Sequence, residues 1–114
     1  MDKKKDLQKQ YNVDSKKKEY KNVVNKQIKE KIWNIIDIVV GNLEYDKAAL
    51  ELTPFEAAFF TFKIADDKKI YLDYRWKGNT VFISYWKNGK NIFNYFIDKE
   101  ELSNFIQELK VWVK

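Results

Sequence analysis

The chain contains neither histidine nor cysteine, which restricts the chemistry that it can perform. Histidine is the commonest general base and metal ligand, and cysteine is the most reactive nucleophile. The serines are Ser15, Ser84 and Ser103, and in the predicted sheet only Ser84 lies near a carboxylate, that of Asp73. Without a histidine or an activating lysine, we interpret Ser84 and Asp73 as a hydrogen-bonded pair, and we expect no catalytic residue.

Two pairs of adjacent carboxylates have structural explanations. Asp66-Asp67 precedes two lysines, which is typical of an exposed turn. Glu100-Glu101 falls in the first turn of a predicted helix, where the helix dipole favours negative charge. Neither pair has the further acids that a magnesium or calcium loop needs, and the three glycines are too dispersed for a phosphate loop. We therefore expect no enzyme, no metal site and no cofactor.

One face of the predicted sheet combines aromatic side chains with the only arginine of the chain, Arg75. The candidate anchors on this face are Tyr71, Phe82, Trp86, Phe93 and Tyr95. Exposed aromatic rings on a sheet can stack nucleic-acid bases, and a neighbouring arginine adds a stacking plane and a phosphate contact. The same residue types are favoured in protein interfaces. A third interpretation is that another segment of the chain covers this face.

The net positive charge is concentrated in the first quarter of the chain. Residues 1–31 contain 11 lysines and 5 acidic residues, whereas residues 32–114 contain 11 basic and 12 acidic residues. A basic segment on a near-neutral domain is typical of nucleic-acid binding, although a lysine-rich solvated helix is the alternative. The candidate phosphate contacts are Lys3, Lys4, Lys5, Lys16, Lys17, Lys18, Lys21, Arg75, Lys87 and Lys90.

The elements that would position these residues begin with an antiparallel meander. Apolar and polar residues alternate over residues 70–76, 80–86 and 91–97, and the turns between them contain Gly78-Asn79 and Asn88-Gly89. Glycine and asparagine supply the positive φ that two-residue hairpin turns need. The pattern predicts a sheet of three strands, or of four if the preceding segment is also extended.

Pairing the strands outward from these two-residue turns gives a register. It sets Trp76 opposite Val81 and Tyr85 opposite Ile92. Because side chains alternate along a strand, this register defines a core face and a second face. The predicted core face holds Ile70, Leu72, Tyr74, Trp76, Val81, Ile83, Tyr85, Ile92, Asn94 and Phe96.

Two helices are predicted to flank the sheet. Apolar residues recur at three- and four-residue spacing from about Ser15 to Val39, and Gly41 is placed to end this helix. A second apolar stripe predicts a C-terminal helix over about 99–113, with Asp98 as its N-cap. We interpret residues 1–14 as a loosely ordered basic arm and residues 15–114 as one α+β domain.

Residues 43–64 can be read in two ways. Thr53-Pro54 followed by Glu56 is typical of a helix start, which we slightly favour, but Phe60, Phe62 and Ile64 also alternate as in a strand. The fragment 50–56 resembles the strand-to-helix entry of OmpR-type winged-helix domains, although no second and third helix follow it. The resemblance implies, as an alternative, a degenerate winged helix with a helix from Pro54 and a β-hairpin wing.

Taken together, these patterns favour a small non-enzymatic accessory protein that binds nucleic acid, with DNA preferred. The lysine-rich arm and the basic hairpin would contact phosphates, and the aromatic face would stack bases. The alternative is a protein-binding module, such as an inhibitor, an immunity-type protein or a homodimer, that uses the aromatic face. The chain has no apolar run long enough to span a bilayer, so we expect a cytoplasmic protein and no membrane partner.

Overall fold

The computed structural model describes residues 2–21 and 23–113. Within them, three helices and a five-stranded antiparallel sheet form an α+β fold, which confirms the predicted class. The helices are α1 (Lys3–Ser15), α2 (Lys26–Asn42) and α3 (Leu102–Trp112), with 3₁₀ turns at Lys18–Tyr20 and Lys99–Glu101. The strands are β1 (Lys47–Thr53), β2 (Ala57–Ala65), β3 (Lys68–Arg75), β4 (Thr80–Lys87) and β5 (Lys90–Asp98).

The sheet is a meander in which every strand pairs with its neighbour in sequence, in the order β1-β2-β3-β4-β5. The three predicted strands correspond to β3, β4 and β5. The prediction of three or four strands was approximate, because β1 and β2 extend the meander to five.

The β4–β5 hairpin has the predicted turn but not the predicted register. Asn88 and Gly89 take φ values of 54° and 75°, and Lys87 pairs with Lys90 around them. Ile92 is then the extra residue of a β-bulge in β5, so that Tyr85 pairs with Phe93 rather than with Ile92. Each later residue of β5 therefore lies on the opposite face from the one predicted.

The side chain of Asn91 explains this bulge. Its Nδ2 donates to the carbonyl oxygens of Tyr85 and Phe93, each at 3.3 Å, and to Ser84 Oγ at 3.0 Å. These bonds satisfy polar groups where the regular ladder is interrupted. Alternation of side chains alone does not reveal such a bulge.

The β3–β4 hairpin differs in a way that leaves its faces unchanged. Its loop is four residues long, from Trp76 to Asn79, and Arg75 pairs with Thr80. The predicted register was therefore wrong by two residues. Because two residues are one full side-chain period, the β3 and β4 residues keep their predicted faces.

Residues 54–56 form a turn rather than the start of a helix. Thr53 pairs with Ala57, and Glu56 has a φ of 60°. Thr53 Oγ1 accepts a hydrogen bond from the Phe55 N–H, two residues on, at 3.3 Å. The favoured helix from Pro54 was wrong, and so was the winged-helix alternative. A threonine followed by proline starts a helix and a tight turn equally well, because both need the same proline φ.

The N-terminal region also differs from its prediction. Residues 1–14 were predicted as a loosely ordered arm, but Lys3–Ser15 form α1, and Asp2 caps it by accepting from the N–H groups of Lys4 and Lys5. The next helix starts at Lys26, with Asn25 as its cap, rather than near Ser15. The C-terminal helix is confirmed as α3 after a 3₁₀ turn, but Asp98 makes no side-chain cap bond.

Helix α1 covers the outer edge of β1. Gln10 imitates a neighbouring strand, because its Nε2 donates to Ala48 O at 3.1 Å and its Oε1 accepts from Leu50 N at 2.9 Å. Asp14 Oδ2 accepts from the N–H of Leu52 at 2.6 Å. These side chains satisfy backbone groups that an uncovered edge strand would leave free.

The core lies between the three helices and one face of the sheet. Fully buried side chains of α2, including Ile32 and Ile36, share one cluster with Leu102 and Ile106 of α3 and with the inner side chains of the sheet. Within the described part of the chain, this arrangement places the helices in one layer, and no helix lies against the other face of the sheet.

Candidate functional site

The face of the sheet that lies away from the helices is called the open face. It carries five aromatic rings, and none of them belongs to the core cluster. Strand pairing places its side chains in rows, one of which is Glu51, Phe59, Asp73, Phe82 and Phe96. The open face comprises Lys47, Ala49, Glu51, Phe59, Thr61, Lys63, Lys69, Tyr71, Asp73, Arg75, Phe82, Ser84, Trp86, Asn91, Asn94 and Phe96.

A shallow depression of about 410 Å³ lies in the middle of the open face, and we call it the aromatic pocket. It is lined by Phe59, Tyr71, Asp73, Phe82, Ser84 and Trp86. Its origin is a difference in side-chain size, because Asp73 and Ser84 are short and their neighbours carry rings. Tyr71 lies directly opposite Ser84, and Phe59 and Phe82 flank Asp73.

The rings form walls at two orientations. Phe59 and Tyr71 are stacked, with centroids 6.0 Å apart and planes 27° apart. Tyr71 and Trp86 meet edge to face, with centroids 6.3 Å apart and planes at 88°. The pocket therefore offers both faces and edges of aromatic rings to a ligand.

Ser84 fixes the orientation of Trp86. The indole Nε1 donates to Ser84 Oγ at 2.6 Å, and Ser84 is 5% exposed. The predicted hydrogen bond between Ser84 and Asp73 is therefore replaced by bonds from Trp86 and Asn91. Ser84 acts as an acceptor that positions a ring.

Asp73 has weak partners within the chain. Its Oδ1 is buried and has no hydrogen-bond partner among the described residues. Its Oδ2 lies 3.7 Å from Arg75 Nε, which is longer than a hydrogen bond, and the Arg75 side chain is 63% exposed. An exposed ion pair at this distance stabilises the carboxylate little, so the pocket contains a poorly compensated negative charge.

The five predicted aromatic anchors fall into two groups. Tyr71, Phe82 and Trp86 lie on the open face as predicted. Phe93 and Tyr95 lie on the helix side, because the bulge shifts the register of β5. There, Tyr95 contacts Phe105 of α3 at a centroid distance of 5.2 Å.

Two open-face rings were missed as site residues. Phe59 was assigned to a predicted helix, and its place in a strand would have followed from the alternation of Phe60 and Phe62. Phe96, which is 63% exposed, was assigned to the core by the unshifted register.

The predicted phosphate-contacting residues lie on separate parts of the molecule. The lysines of residues 3–21 belong to α1 and the following turn, beside the edge of β1. Arg75 lies at one end of the sheet, and Lys87 and Lys90 flank the hairpin turn at the other, seven residues away along β4. Seven residues of a strand span roughly 23 Å. The described residues therefore do not bring this set together.

Several lysines of the first segment already have partners. Lys4 and Lys17 form ion pairs of 2.8 and 2.7 Å with Asp37 and Asp14, and each pair raises the pKa of its lysine. Lys3 contacts the carbonyl oxygen and the ring of Tyr45. All seven predicted lysines of this segment are exposed, and Lys5, Lys16, Lys18 and Lys21 form no ion pair with another described residue.

A second cavity, of about 1020 Å³, lies where the end of α2 and the segment before β1 meet the end of α3. Tyr45 lines it, and the Tyr45 hydroxyl is buried without a hydrogen-bond partner among the described residues. Burial raises the pKa of Tyr45 to about 12. The charged residues that line this cavity include both lysines, such as Lys110, and acids, such as Glu44, and they define no ligand class.

Among the described residues, no group of three or more carboxylates could hold a metal ion, and no helix is long and apolar enough to cross a membrane. No protein-family model, curated protein or solved structure matches the chain.

Proposed function

We propose that this protein is a binding module and that its open face docks a partner protein. The observation that carries the proposal is an aromatic sheet face that no described helix or strand covers. Phe82 and Phe96 are neighbours in one row, and they are 39% and 63% exposed. Contiguous exposed apolar surface is rare on monomers and marks interaction sites.

The residue types of the open face also support a protein partner. Tyrosine, tryptophan and arginine dominate the residues that contribute most to protein–protein affinity, and the open face contains all three in Tyr71, Trp86 and Arg75. Trp86 is held in place by Ser84, so that little conformational entropy is lost on binding. The row also reaches β5, an edge strand whose only partner in the sheet is β4.

The charges in the row of exposed rings favour a protein over a phosphate backbone at the centre of the open face, although a separate row of the same face contains Lys47, Lys63 and Lys69. Two carboxylates, Glu51 and Asp73, lie in the same row as the exposed rings. A nucleic-acid backbone placed on this row would meet negative charge, whereas a protein can supply donors or basic side chains at these positions.

The test starts with proteins captured by the full chain, which are identified, purified and tested for a direct complex by calorimetry. Replacing Phe82 and Phe96 by alanine should weaken this complex at least tenfold, because each ring loses buried contact area. The matched control is Lys87→Gln with Lys90→Gln, which changes charge outside the open-face rings. This control should leave the affinity within about threefold, because charges at the rim of an interface contribute little.

The proposal fails if the alanine variant, folded as judged by circular dichroism, binds the purified partner as tightly as wild type. The molar mass of the free chain, measured by light scattering, distinguishes a homodimer from a chain that binds a different protein. A dimer that the Phe82 and Phe96 substitutions dissociate would identify a second copy of the chain as the partner.

Nucleic-acid binding is the second candidate, and a row of lysines supports it. Lys47, Lys63 and Lys69 are cross-strand neighbours, and the next position in their row is Trp86. Lysines beside an exposed ring can hold a single strand while a base stacks. Fluorescence anisotropy with single-stranded and duplex DNA should then show affinity that falls steeply with salt. Binding that does not change between low and physiological salt would exclude this candidate.

A further inference from the structure

We infer that the aromatic pocket binds a basic side chain, arginine or lysine, of the partner protein. This inference rests on the proposed function, and it specifies which chemical group of the partner occupies the centre of the open face. It is carried by the combination of ring walls with a carboxylate whose charge the chain does not compensate.

The ring walls suit a cation. A guanidinium or ammonium group placed over an aromatic face is attracted by the electrons of the ring, and a planar guanidinium can also stack. Tyr71 and Trp86 stand at 88° to each other. A cation in the corner between them can contact the face of one ring while its aliphatic stem packs against the other.

Asp73, between the rings of the aromatic pocket, supplies a negative charge for the cation. Asp73 keeps part of its surface exposed, with a side-chain exposure of 23%, while its Oδ1 lacks a hydrogen-bond partner among the described residues. A buried carboxylate oxygen without a donor is unfavourable. An arginine of the partner can bond Oδ2, and a rotation of the carboxylate that exposes Oδ1 would let its two parallel N–H groups reach both oxygens and relieve this cost.

The arginine of the chain itself does not fill this role. Arg75 approaches only Oδ2, through Nε, at 3.7 Å, and its side chain is mostly in solvent. Phe59 and Phe82 flank Asp73 on both sides in the row. They shield the carboxylate from water on those sides, which strengthens its attraction for an incoming cation.

The experiment titrates the full chain with N-acetyl-arginine amide and follows the indole N–H signals by NMR. The Trp86 signal is identified by its loss in Trp86→Phe. We expect a saturable shift of this signal with a Kd in the millimolar range, because one side chain supplies only a few contacts. N-acetyl-citrulline amide has nearly the same shape without the charge, and it should bind about tenfold more weakly or not at all.

Two variants of the chain test the role of the carboxylate. Asp73→Asn keeps the shape and removes the charge, and it should weaken arginine-amide binding about tenfold or more. Arg75→Gln removes the neighbouring cation and should leave binding unchanged or stronger. Backbone spectra that change only around residue 73 show that the Asp73→Asn variant is folded.

Three results would overturn the inference. They are no saturable shift at tens of millimolar arginine amide, equal affinity for the citrulline compound, and unchanged affinity in Asp73→Asn. A lower Kd for adenosine monophosphate than for arginine amide, taken from the same Trp86 titration, would also overturn it, in favour of base stacking.

The inference and the proposed function can fail separately. If the pocket binds no arginine amide but Phe82 and Phe96 still determine partner affinity, only the pocket assignment is wrong. If the pocket binds arginine amide but the open-face variants leave partner affinity unchanged, the proposed function is wrong.

Discussion

At the scale of single residues, two buried side-chain polar atoms have no hydrogen-bond partner among the described residues, and they lead to different predictions. Asp73 Oδ1 lies beside an open pocket, where a ligand can approach its carboxylate. The Tyr45 hydroxyl belongs to a side chain that is 5% exposed and lines the cavity of about 1020 Å³, whose charged residues are of mixed sign. The first observation points to binding, and because the second cavity defines no ligand class, Tyr45 supports only a prediction about stability.

Removing the Tyr45 hydroxyl should not destabilise the protein at neutral pH. We expect Tyr45→Phe to unfold in urea with a free energy equal to wild type or up to about 1 kcal/mol higher, because no hydrogen bond is lost. Tyr20→Phe is the matched control. Tyr20 Oη donates to Leu52 O at 2.8 Å, so its loss should cost about 1 kcal/mol.

The Tyr45→Phe variant should also resist alkali better than wild type. The pKa of Tyr45 is about 12 in the folded state, against about 10 in an unfolded chain. Between these values the unfolded state loses the proton first, so the contribution of Tyr45 to stability falls as pH rises. The advantage of Tyr45→Phe in urea unfolding should grow by about 1 kcal/mol between pH 10 and 11. An advantage that does not change with pH would contradict the burial of this hydroxyl.

At the scale of elements, the two edge strands of the sheet differ in whether their outer backbone groups have hydrogen-bond partners. Helix α1 satisfies the backbone groups of β1 through Gln10 and Asp14, whereas β5 has a strand partner on only one side. Edge strands left free pair readily with other chains. Among the described residues, the covered β1 edge therefore leaves the β5 edge as the one to which a strand of another chain can be added.

Replacing Gln10 and Asp14 together by alanine should uncover the β1 edge. We expect a loss of roughly 2–4 kcal/mol in the free energy of unfolding, because the N–H groups of Leu50 and Leu52 lose their acceptors. Light scattering should show new self-association. Lys9→Ala, an exposed position on the same helix, is the control. A double variant as stable and monomeric as the control would show that α1 does not cover β1 in solution.

The sequence predicted the elements better than their register. Alternation and turn residues located β3, β4 and β5, because both signals depend on local backbone preferences. The bulge at Ile92 depends on hydrogen bonds of the Asn91 side chain, and the alternation of apolar and polar residues does not reveal these bonds. Helix α1 was missed because Leu7 and Tyr11 are its only apolar core contacts and its bonds to β1 are tertiary.

The candidate site shows the same limit. The prediction placed four side chains correctly on one face of the sheet, those of Tyr71, Arg75, Phe82 and Trp86. It did so because the two-residue error in the β3–β4 register leaves every side chain on its predicted face. Whether that face was covered could not be decided from the sequence, since the answer depends on which side of the sheet the helices pack.

At the scale of the whole molecule, the layers separate two surfaces of different character. In residues 2–21 and 23–113, the helices leave one side of the sheet uncovered, and the lysine-rich α1 lies beside β1 rather than over the open face. The excess positive charge of residues 1–31 is therefore displaced from the aromatic pocket. This separation favours a protein that binds through the sheet, with the lysines of α1 away from the binding surface.

The most direct test of the open face as the binding surface is hydroxyl-radical footprinting of the free chain and of its complex with the purified partner. We predict that oxidation of Phe82, Trp86 and Phe96 falls strongly in the complex. Phe55 and Trp112, which are 84% and 70% exposed outside the open face, should be oxidised equally in both states. Protection of Phe55 or Trp112 with unchanged oxidation of the three open-face rings would contradict the account.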